Sequence, residues 1–245
     1  MPCKVIFTAG AKGGSGKTTA ACFILGYLRQ HDITPLIMDL DDESKSLSRF
    51  YPEAVQVNIH QEFAHDALIE RATSDQHALI VADLKAGTGY EVLHWFLDVP
   101  FGHLRQEGVE FVCIGSITTA PDSVQSFLNW PGSLGDRVSY VVFKNLKDGD
   151  QLFDYESSIQ AAEFRKRLSP AHITIRKLSS LYQAELEIRR LTFCQVLEGH
   201  NGNSSDGQPL GPILGNLMAR ARLQSFQGEI FEQFDAIATT LLPRQ

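Results

Sequence analysis

Short runs of apolar and β-branched residues alternate with longer amphipathic segments along most of the chain. The candidate strands are Lys4–Ala9, Pro35–Asp39, Val55–Ile59, Ala78–Asp83, Val109–Gly115, Val138–Lys144 and His172–Ile175. This alternation predicts an α/β fold with a mainly parallel, twisted sheet and helices on both faces. Right-handed crossovers place the carboxyl ends of the strands on one edge, where we expect the loops to form a ligand site.

The C-terminal part departs from this alternation. Residues 199–212 are rich in Gly, Pro and Ser, which predicts a mobile surface loop. From 213 to 242 apolar residues recur mostly at three- and four-residue intervals, which predicts a helical segment packed on the core. The residues of this stripe are Ile213, Leu217, Ala221, Phe226, Ile230, Phe234, Ile237 and Leu241. We expect residues 1–245 to form a single domain.

Composition and charge narrow the class of protein. Of the 245 residues, 43% are hydrophobic and 21% are charged, which is typical of globular proteins and excludes disordered or collagen-like chains. The net charge of -7 provides no overall positive field for nucleic acid or anionic lipid. No apolar stretch approaches the length of a membrane-spanning helix.

The spacing of the four cysteines indicates the redox state of the cellular compartment. Cys3, Cys22, Cys113 and Cys194 are far apart in the sequence and form no CxxC pair, so neither a zinc site nor a disulfide framework is predicted. We expect reduced, buried thiols and a cytoplasmic location.

A glycine-rich loop directly follows the first predicted strand and precedes a helical run. It reads AKGGSGKTT from Ala11 to Thr19. Small residues let backbone amides of Gly13, Gly14, Ser15 and Gly16 turn towards phosphate oxygens, and the following helix adds free N–H groups. Lys17 is expected to reach the β- and γ-phosphates. The hydroxyl of Thr18 is expected to complete the shell of a Mg²⁺ ion, with Thr19 beside it in the nucleotide site.

Acidic residues end two of the predicted strands. Asp39 and Asp41 lie two residues apart at the end of the second strand, so their side chains point the same way if the chain is extended there. Asp83 ends the fourth strand, where an acid beside a phosphate loop suits a magnesium site. Solvated turn acids are the alternative for Asp41.

The loop resembles the deviant Walker A motif of the ParA/MinD family of P-loop ATPases, with Ala11 where the standard pattern has Gly and with an additional lysine, Lys12. The resemblance implies a P-loop NTPase fold that binds ATP with Mg²⁺. It also implies an ATP-sandwich homodimer, in which Lys12 reaches the nucleotide of the facing subunit. Such a cation stabilises the transferring phosphoryl group only after dimerisation.

The same resemblance extends to other site residues. It implies that Asp39 lies near the magnesium shell and that Asp41 orients or activates the attacking water. Asp83 begins the family's switch II, in which Lys85 replaces a common proline while Ala86 and Gly87 match the family. Asn145 corresponds to an asparagine that contacts the adenine edge in related ATPases, with a turn-forming asparagine as the alternative.

The C-terminal third resembles the TraL-like ATPases of conjugative plasmid transfer. The segments that resemble them are IRRLTFCQVL, from Ile188 to Leu197, and LMARARLQSFQGEIFEQFDAI. Family members often hold nonspecific DNA through basic residues near the C-terminus, for which the candidates are Arg189, Arg190, Arg220 and Arg222. The acidic charge balance favours solvation of these side chains instead.

Together these features predict a slow, partner-stimulated ATPase whose ATP-bound dimer recruits a protein partner or cargo adaptor. Plasmid partition, conjugal transfer and cellular positioning all fit the resemblance. Two alternatives stay open. One is an ATP-dependent scaffold with little turnover, motivated by Lys85 in switch II. The other is a P-loop kinase or ligase that acts on a small metabolite, which predicts a second substrate pocket.

Overall fold

A parallel β-sheet forms the centre of the structure, a computed structural model that describes residues 2–41, 45–58, 63–74, 76–84, 89–202 and 210–244. The strands are β1 (Cys3–Ala9), β2 (Leu36–Leu40), β3 (Val55–Gln56), β4 (Leu79–Leu84), β5 (Val109–Ile117), β6 (Ser139–Asn145) and β7 (Ala171–Ile175). Each predicted strand is present among them, and their order across the sheet is β3-β2-β4-β1-β5-β6-β7. The predicted α/β fold with a parallel sheet is confirmed.

Some strand boundaries differ from the predicted ones. β3 comprises Val55 and Gln56 only, and the predicted end at Ile59 lies outside the described residues. Asn145 is the last residue of β6, not the first residue after it, because its backbone still pairs with Ile175 of β7. Lys85, Ala86 and Gly87 of the predicted switch II, and residues 203–209 of the predicted loop, also lie outside the described residues.

Helices cover both faces of this sheet. They are α1 (Lys17–Gln30), α2 (Asp66–Thr73), α3 (Gly89–Asp98), α4 (Phe101–Gln106), α5 (Pro121–Leu134), α6 (Phe153–Ser157), α7 (Ile159–Leu168), α8 (Ser180–Arg189), α9 (Phe193–Leu197), α10 (Leu217–Asp235) and α11 (Ala238–Leu241). Residues of α1 and α8–α11 bury one face, and residues of α2–α7 bury the other. Successive side chains of β1 therefore enter different cores, with Ile6 in the first and Val5 and Phe7 in the second.

The C-terminal helices confirm the helical periodicity but correct the predicted stripe. In α10 the buried residues include Ala219, Leu223, Phe226, Ile230 and Phe234, whereas Leu217 is 81% exposed and Ala221 is also exposed. Residues two positions apart in a helix are rotated by about 200° about its axis. Because Ala219 faces the core, Leu217 and Ala221 face solvent. No helix in the described part of the chain has the length and apolarity needed to cross a membrane.

Strand register determines which polar residues meet at the carboxyl edge. Asp39 of β2 pairs with Asp83 of β4, and Phe7 of β1 pairs with Ala82, which places Thr8 beside Asp83. β1 lies between β4 and β5. The strands β2, β3 and β4 lie on one side of β1, and the later strands β5, β6 and β7 lie on the other side. The loop after β1 therefore lies at a point where the strand order changes direction, as expected for a ligand site in an open α/β sheet.

Candidate functional site

The loop between β1 and α1 has the backbone of a phosphate-binding loop. Gly14 and Gly16 have φ values of +71° and +105°, a region that residues with a Cβ atom rarely adopt. Gly16 is the N-cap of α1 and has no side chain with which to satisfy the first N–H groups of the helix. Those groups and the positive end of the helix dipole remain available to an anion.

Lys17 is buried at the base of this loop. Its Nζ donates a hydrogen bond to the carbonyl oxygen of Lys12 at 3.0 Å, so the ammonium lies across the loop. Burial lowers the pKa of Lys17, while the nearby carboxylates of Asp83 and Asp41 act in the opposite direction. A buried cation at this position provides a point charge for an anionic ligand.

Thr18 and Asp83 form the floor of the site. The Thr18 hydroxyl donates to one oxygen of Asp83 at 2.6 Å, and the Thr8 hydroxyl donates to the other at 2.7 Å. Burial raises the pKa of Asp83 to about 6 despite these two bonds. Hydroxyl and carboxylate oxygens are the donors that Mg²⁺ prefers, so Thr18 and Asp83 fit this cation.

Asp39 is held by the segment that follows it. Its carboxylate accepts hydrogen bonds from the backbone N–H groups of Asp41, Leu47 and Ser48 and from the Ser48 hydroxyl, at 2.6–3.1 Å. Three of these bonds reach Oδ2, and the bond from the Asp41 N–H reaches Oδ1. Asp39 thus holds the turn of residues 45–48 next to Asp83. In the same turn, the Ser46 hydroxyl donates a hydrogen bond to the Asp41 carboxylate at 3.0 Å.

Within the described ranges, no group of three or more His, Cys, Asp or Glu side chains could hold a metal ion. The predicted metal residues Thr18, Asp39 and Asp83 nevertheless meet at one end of the sheet, since Asp39 and Asp83 are paired in register and Thr18 bonds to Asp83. The structure therefore brings together residues that are 65 positions apart in the sequence.

Lys12 lies apart from the buried floor. Its side chain is 44% exposed, and its ammonium pairs with the Asp122 carboxylate at the start of α5 at 2.5 Å. The hydrogen bond from Lys12 lowers the pKa of Asp122. The structure thus places the two lysines of the loop differently, with Lys17 inside the site and Lys12 at its rim.

Asn145 is buried against the glycine loop. Its Nδ2 donates to the carbonyl oxygen of Ser15 at 3.0 Å, and its Oδ1 accepts from the backbone N–H of Lys147 at 3.2 Å. The Ser116 hydroxyl donates to the same Ser15 carbonyl at 2.8 Å. Gly13, Gly14 and Thr19 are exposed on the same loop and the start of α1.

Sequence reasoning missed Thr8, Ser116 and Asp122. Thr8 and Ser116 are polar residues near the carboxyl ends of otherwise apolar strands, and this was the available signal for both. Asp122 follows Pro121 at the start of a helix, a common place for an acid, so nothing in the sequence distinguished it from an ordinary helix-terminal residue.

The C-terminal arginines are partly engaged within the protein. Arg189 pairs with Glu185 at 2.6 Å, Arg222 donates to the Tyr182 hydroxyl at 3.0 Å, and Arg220 donates to the Leu197 carbonyl at 3.4 Å. The predicted burial of the cysteines is confirmed, since Cys3, Cys22, Cys113 and Cys194 are all buried.

Comparisons with known proteins identify the family. The sequence model of the CobQ/CobB/MinD/ParA nucleotide binding domain matches residues 6–228. The match covers most of the chain, so the protein belongs to this family. The predicted relation to the ParA/MinD-like P-loop ATPases is confirmed. A search among curated protein sequences found no match.

Solved structures show the same fold. One chain of the MinC:MinD cell division protein complex from Aquifex aeolicus aligns with a TM-score of 0.53 at 13% identity, covering 99% of both chains. MinD cell division protein from Aquifex aeolicus gives 0.53 at 11% identity, covering 99% of this chain and 100% of that one. A ParA family ATPase from Chlorobium tepidum TLS gives 0.54 at 14% identity, covering 81% and 93%.

Proposed function

We propose that the protein is a magnesium-dependent ATPase that acts as a dimeric switch and recruits a partner or cargo in its ATP-bound state. One observation carries the proposal: the loop holds a buried lysine, Lys17, over its floor and a second lysine, Lys12, at its exposed rim. The buried cation suits the nucleotide of its own subunit. The rim cation suits a ligand that approaches from outside, such as the nucleotide of a facing subunit.

The triphosphate would lie in the loop formed by Gly13, Gly14, Ser15 and Gly16, with backbone N–H groups directed at its oxygens. Lys17 would contact the β- and γ-phosphates, while Thr18 and Thr19 add hydroxyl groups at the start of α1. Asn145 would approach the adenine from the end of β6. These assignments are supported by the φ values of the loop and by the burial of Lys17.

Magnesium would be held by the Thr18 hydroxyl together with phosphate oxygens, with Asp83 behind Thr18. When bound, Mg²⁺ neutralises charge on the phosphate chain. Asp39 would lie near this shell, and its Oδ2 atom holds the residue 45–48 turn there through three hydrogen bonds from Leu47 and Ser48.

For hydrolysis, Asp41 would orient the attacking water, because it lies close enough to Lys17 to influence its pKa and is anchored by Ser46. Lys12 from the facing subunit would stabilise the charge of the transferring phosphoryl group. Turnover would then depend on dimerisation, as a partner-regulated switch requires. The fold shared with MinD and ParA proteins supports a role in positioning or partition, and the C-terminal resemblance supports conjugal transfer as the setting.

The test compares ATP binding, ATP turnover and oligomeric state in the wild type, Lys17→Ala and Lys12→Ala. Lys17→Ala should weaken ATP binding about 10- to 100-fold, since it removes a charge-assisted contact. Lys12→Ala should bind ATP normally as a monomer yet fail to dimerise, and its turnover should drop to background. Scattering or analytical ultracentrifugation with ATP and Mg²⁺ measures the dimer.

Lys166→Ala is the matched control, because Lys166 is an exposed lysine on α7. It should behave as the wild type in every assay. A Lys12→Ala protein that dimerises and hydrolyses ATP at the wild-type rate would refute the role of Lys12 across subunits. Wild-type protein that hydrolyses no ATP even in single-turnover assays with a partner would favour the scaffold alternative.

A further inference from the structure

Two buried side chains converge on one carbonyl oxygen of the glycine loop. The Ser116 hydroxyl and the Asn145 amide both donate to the Ser15 carbonyl, at 2.8 and 3.0 Å. Ser15, Ser116 and Asn145 are 3%, 3% and 7% exposed. The two donors come from adjacent strands, since Ser116 of β5 pairs with Phe143 of β6 and Asn145 lies two residues further on the same face.

These bonds determine the direction of the peptide group that joins Ser15 to Gly16. The peptide unit is planar and trans, so its carbonyl and its N–H point in opposite directions. Because the Ser15 carbonyl points towards Ser116 and Asn145, the Gly16 N–H points away from them. That N–H belongs to the backbone that the proposed function assigns to the phosphates.

Gly16 is shaped around the same pair. It has a φ of +105°, and a Cβ atom at this position would lie 2.5 Å from Asn145 Nδ2 and 3.1 Å from Ser116 Oγ. Any side chain here would displace the Asn145 amide and crowd the Ser116 hydroxyl. The need for glycine at this position therefore has two causes: the left-handed backbone conformation and the close approach of the two donors.

We propose that Ser116 and Asn145 are positioning residues that hold the Ser15–Gly16 peptide in the orientation that binds phosphate. The inference rests on the proposed nucleotide-binding function and deepens it. It gives Asn145 a role in phosphate binding through its Nδ2 group, separate from any contact with the adenine. Ser116 has the same role and lies beneath the loop, behind the Ser15 carbonyl.

The experiment measures the binding of two probes, ATP and inorganic tripolyphosphate, each with Mg²⁺, by calorimetry. The variants are Ser116→Ala, Asn145→Ala and the double variant. Ser158→Ala is the control, because Ser158 also makes a single serine hydrogen bond to backbone, at the start of α7. Urea unfolding of each variant confirms that the proteins are folded.

Each single variant should bind both probes about 3- to 10-fold more weakly, as expected for one lost hydrogen bond. The double variant should lose more than the product of the two single losses, because either single variant leaves the carbonyl one donor. Ser158→Ala should bind both probes as the wild type does. Unchanged tripolyphosphate affinity in the single and double variants would overturn the inference, and for Asn145→Ala a loss confined to ATP would indicate an adenine contact alone.

Amide hydrogen exchange without any ligand provides an independent measurement. Ser116→Ala and Asn145→Ala should speed exchange in the peptide covering residues 12–17, while Ser158→Ala should not. Unchanged exchange in this peptide would also overturn the inference. If the wild type bound neither probe, the proposed function would fail, and exchange would still decide whether the two side chains order the loop.

Discussion

At the scale of single residues, the site contains ionisable side chains that are almost fully buried. Lys17 is 6% exposed and Asp83 is 1% exposed. Burial lowers the pKa of Lys17 and raises the pKa of Asp83, because burial favours the neutral form of each group. For Asp83, the cost of burying the charge exceeds the gain from the two hydroxyl bonds and from the nearby Lys17 ammonium. The ionised form of Asp83 therefore makes the folded protein less stable than the protonated form does.

The first prediction concerns Asp83→Asn. The pKa of Asp83 is about 6 in the folded protein against 3.8 for the unperturbed side chain, so the folded state binds this proton more tightly than the unfolded state. The contribution of Asp83 to the free energy of unfolding should therefore increase as the pH falls from 7 through 6 towards 4. It should decrease again as the pH rises. One pKa unit corresponds to about 1.4 kcal/mol.

At pH 7.5 without Mg²⁺, Asp83→Asn should therefore unfold in urea with a free energy about 1–3 kcal/mol higher than the wild type. The difference should shrink below pH 4, where the wild-type carboxyl is protonated in both states. The same variant should lose Mg²⁺-dependent binding of ATP. A variant that is less stable than the wild type at pH 7.5 would contradict this account of Asp83.

At the scale of secondary-structure elements, helix α9 connects the C-terminal region to the segment after Asp39 and Asp41. Thr192 and Gln195 form a capping box at the start of α9, and Gln195 Nε2 donates to the Phe50 carbonyl at 3.0 Å. Phe50 follows the turn that Asp39 holds. Thr192 and Gln195 belong to the RLTFCQVL segment. This segment thus has a structural role, because it holds the backbone at Phe50, directly after the turn.

The second prediction concerns Gln195→Ala. Loss of the bond to Phe50 should speed amide exchange across residues 45–51 about fivefold, since one hydrogen bond contributes roughly 1 kcal/mol. ATP turnover should fall as well, because the proposed water-orienting residue Asp41 precedes this segment and is anchored to it through Ser46. Exchange mass spectrometry and a single-turnover assay provide the measurements.

Gln233→Ala is the matched control for this variant. Gln233 also joins a helix to backbone, since its side chain bonds to the N–H and carbonyl of Thr174 at 2.7 and 3.0 Å, but it lies between α10 and β7. It should leave residues 45–51 and turnover unchanged. Equal effects of the two substitutions would mean that α9 has no special connection to the site.

At the scale of the whole molecule, the Lys12–Asp122 ion pair bears on assembly. In the single subunit Lys12 is held by Asp122 of its own chain, whereas the proposed dimer requires it to reach the facing nucleotide. The two side chains are 44% and 59% exposed, so the ion pair contributes little to stability. Lys12 can therefore exchange Asp122 for a more highly charged anion such as a triphosphate. Dimerisation would then include the breaking of this contact.

The third prediction is that Asp122→Asn favours the ATP-dependent dimer. Removal of the carboxylate leaves Lys12 without its ionic partner, so the dimer should form at a few-fold lower protein concentration in the presence of ATP and Mg²⁺. Sedimentation at several concentrations measures this shift. Asp98→Asn, at an exposed site at the end of α3, changes the charge equally and should have no effect. Weaker dimerisation of Asp122→Asn would indicate that Asp122 itself contributes to the interface.

Local sequence was sufficient for the strands, the glycine loop and the helix after it. Runs of β-branched and apolar residues that alternate with amphipathic segments are typical of strands in a covered parallel sheet. A glycine-rich run between such a strand and a helix is typical of a phosphate-binding loop. The phase of α10 was not local information, because whether Leu217 or Ala219 faces the core depends on how the helix lies against α1 and β7. The predicted stripe was therefore partly wrong, although the helix itself was found.

Alternating patterns and the KGGSGKT loop thus determined, by themselves, the class of fold, the edge that carries the site and the residues that begin it. Tertiary structure alone decided how residues far apart in the chain share hydrogen bonds. Strand order and register bring Thr8 and Asp39 to Asp83, Ser116 and Asn145 to Ser15, and Asp122 to Lys12. Such contacts depend on how distant segments pack, because a hydrogen bond needs a partner within about 3 Å and sequence distance does not specify it.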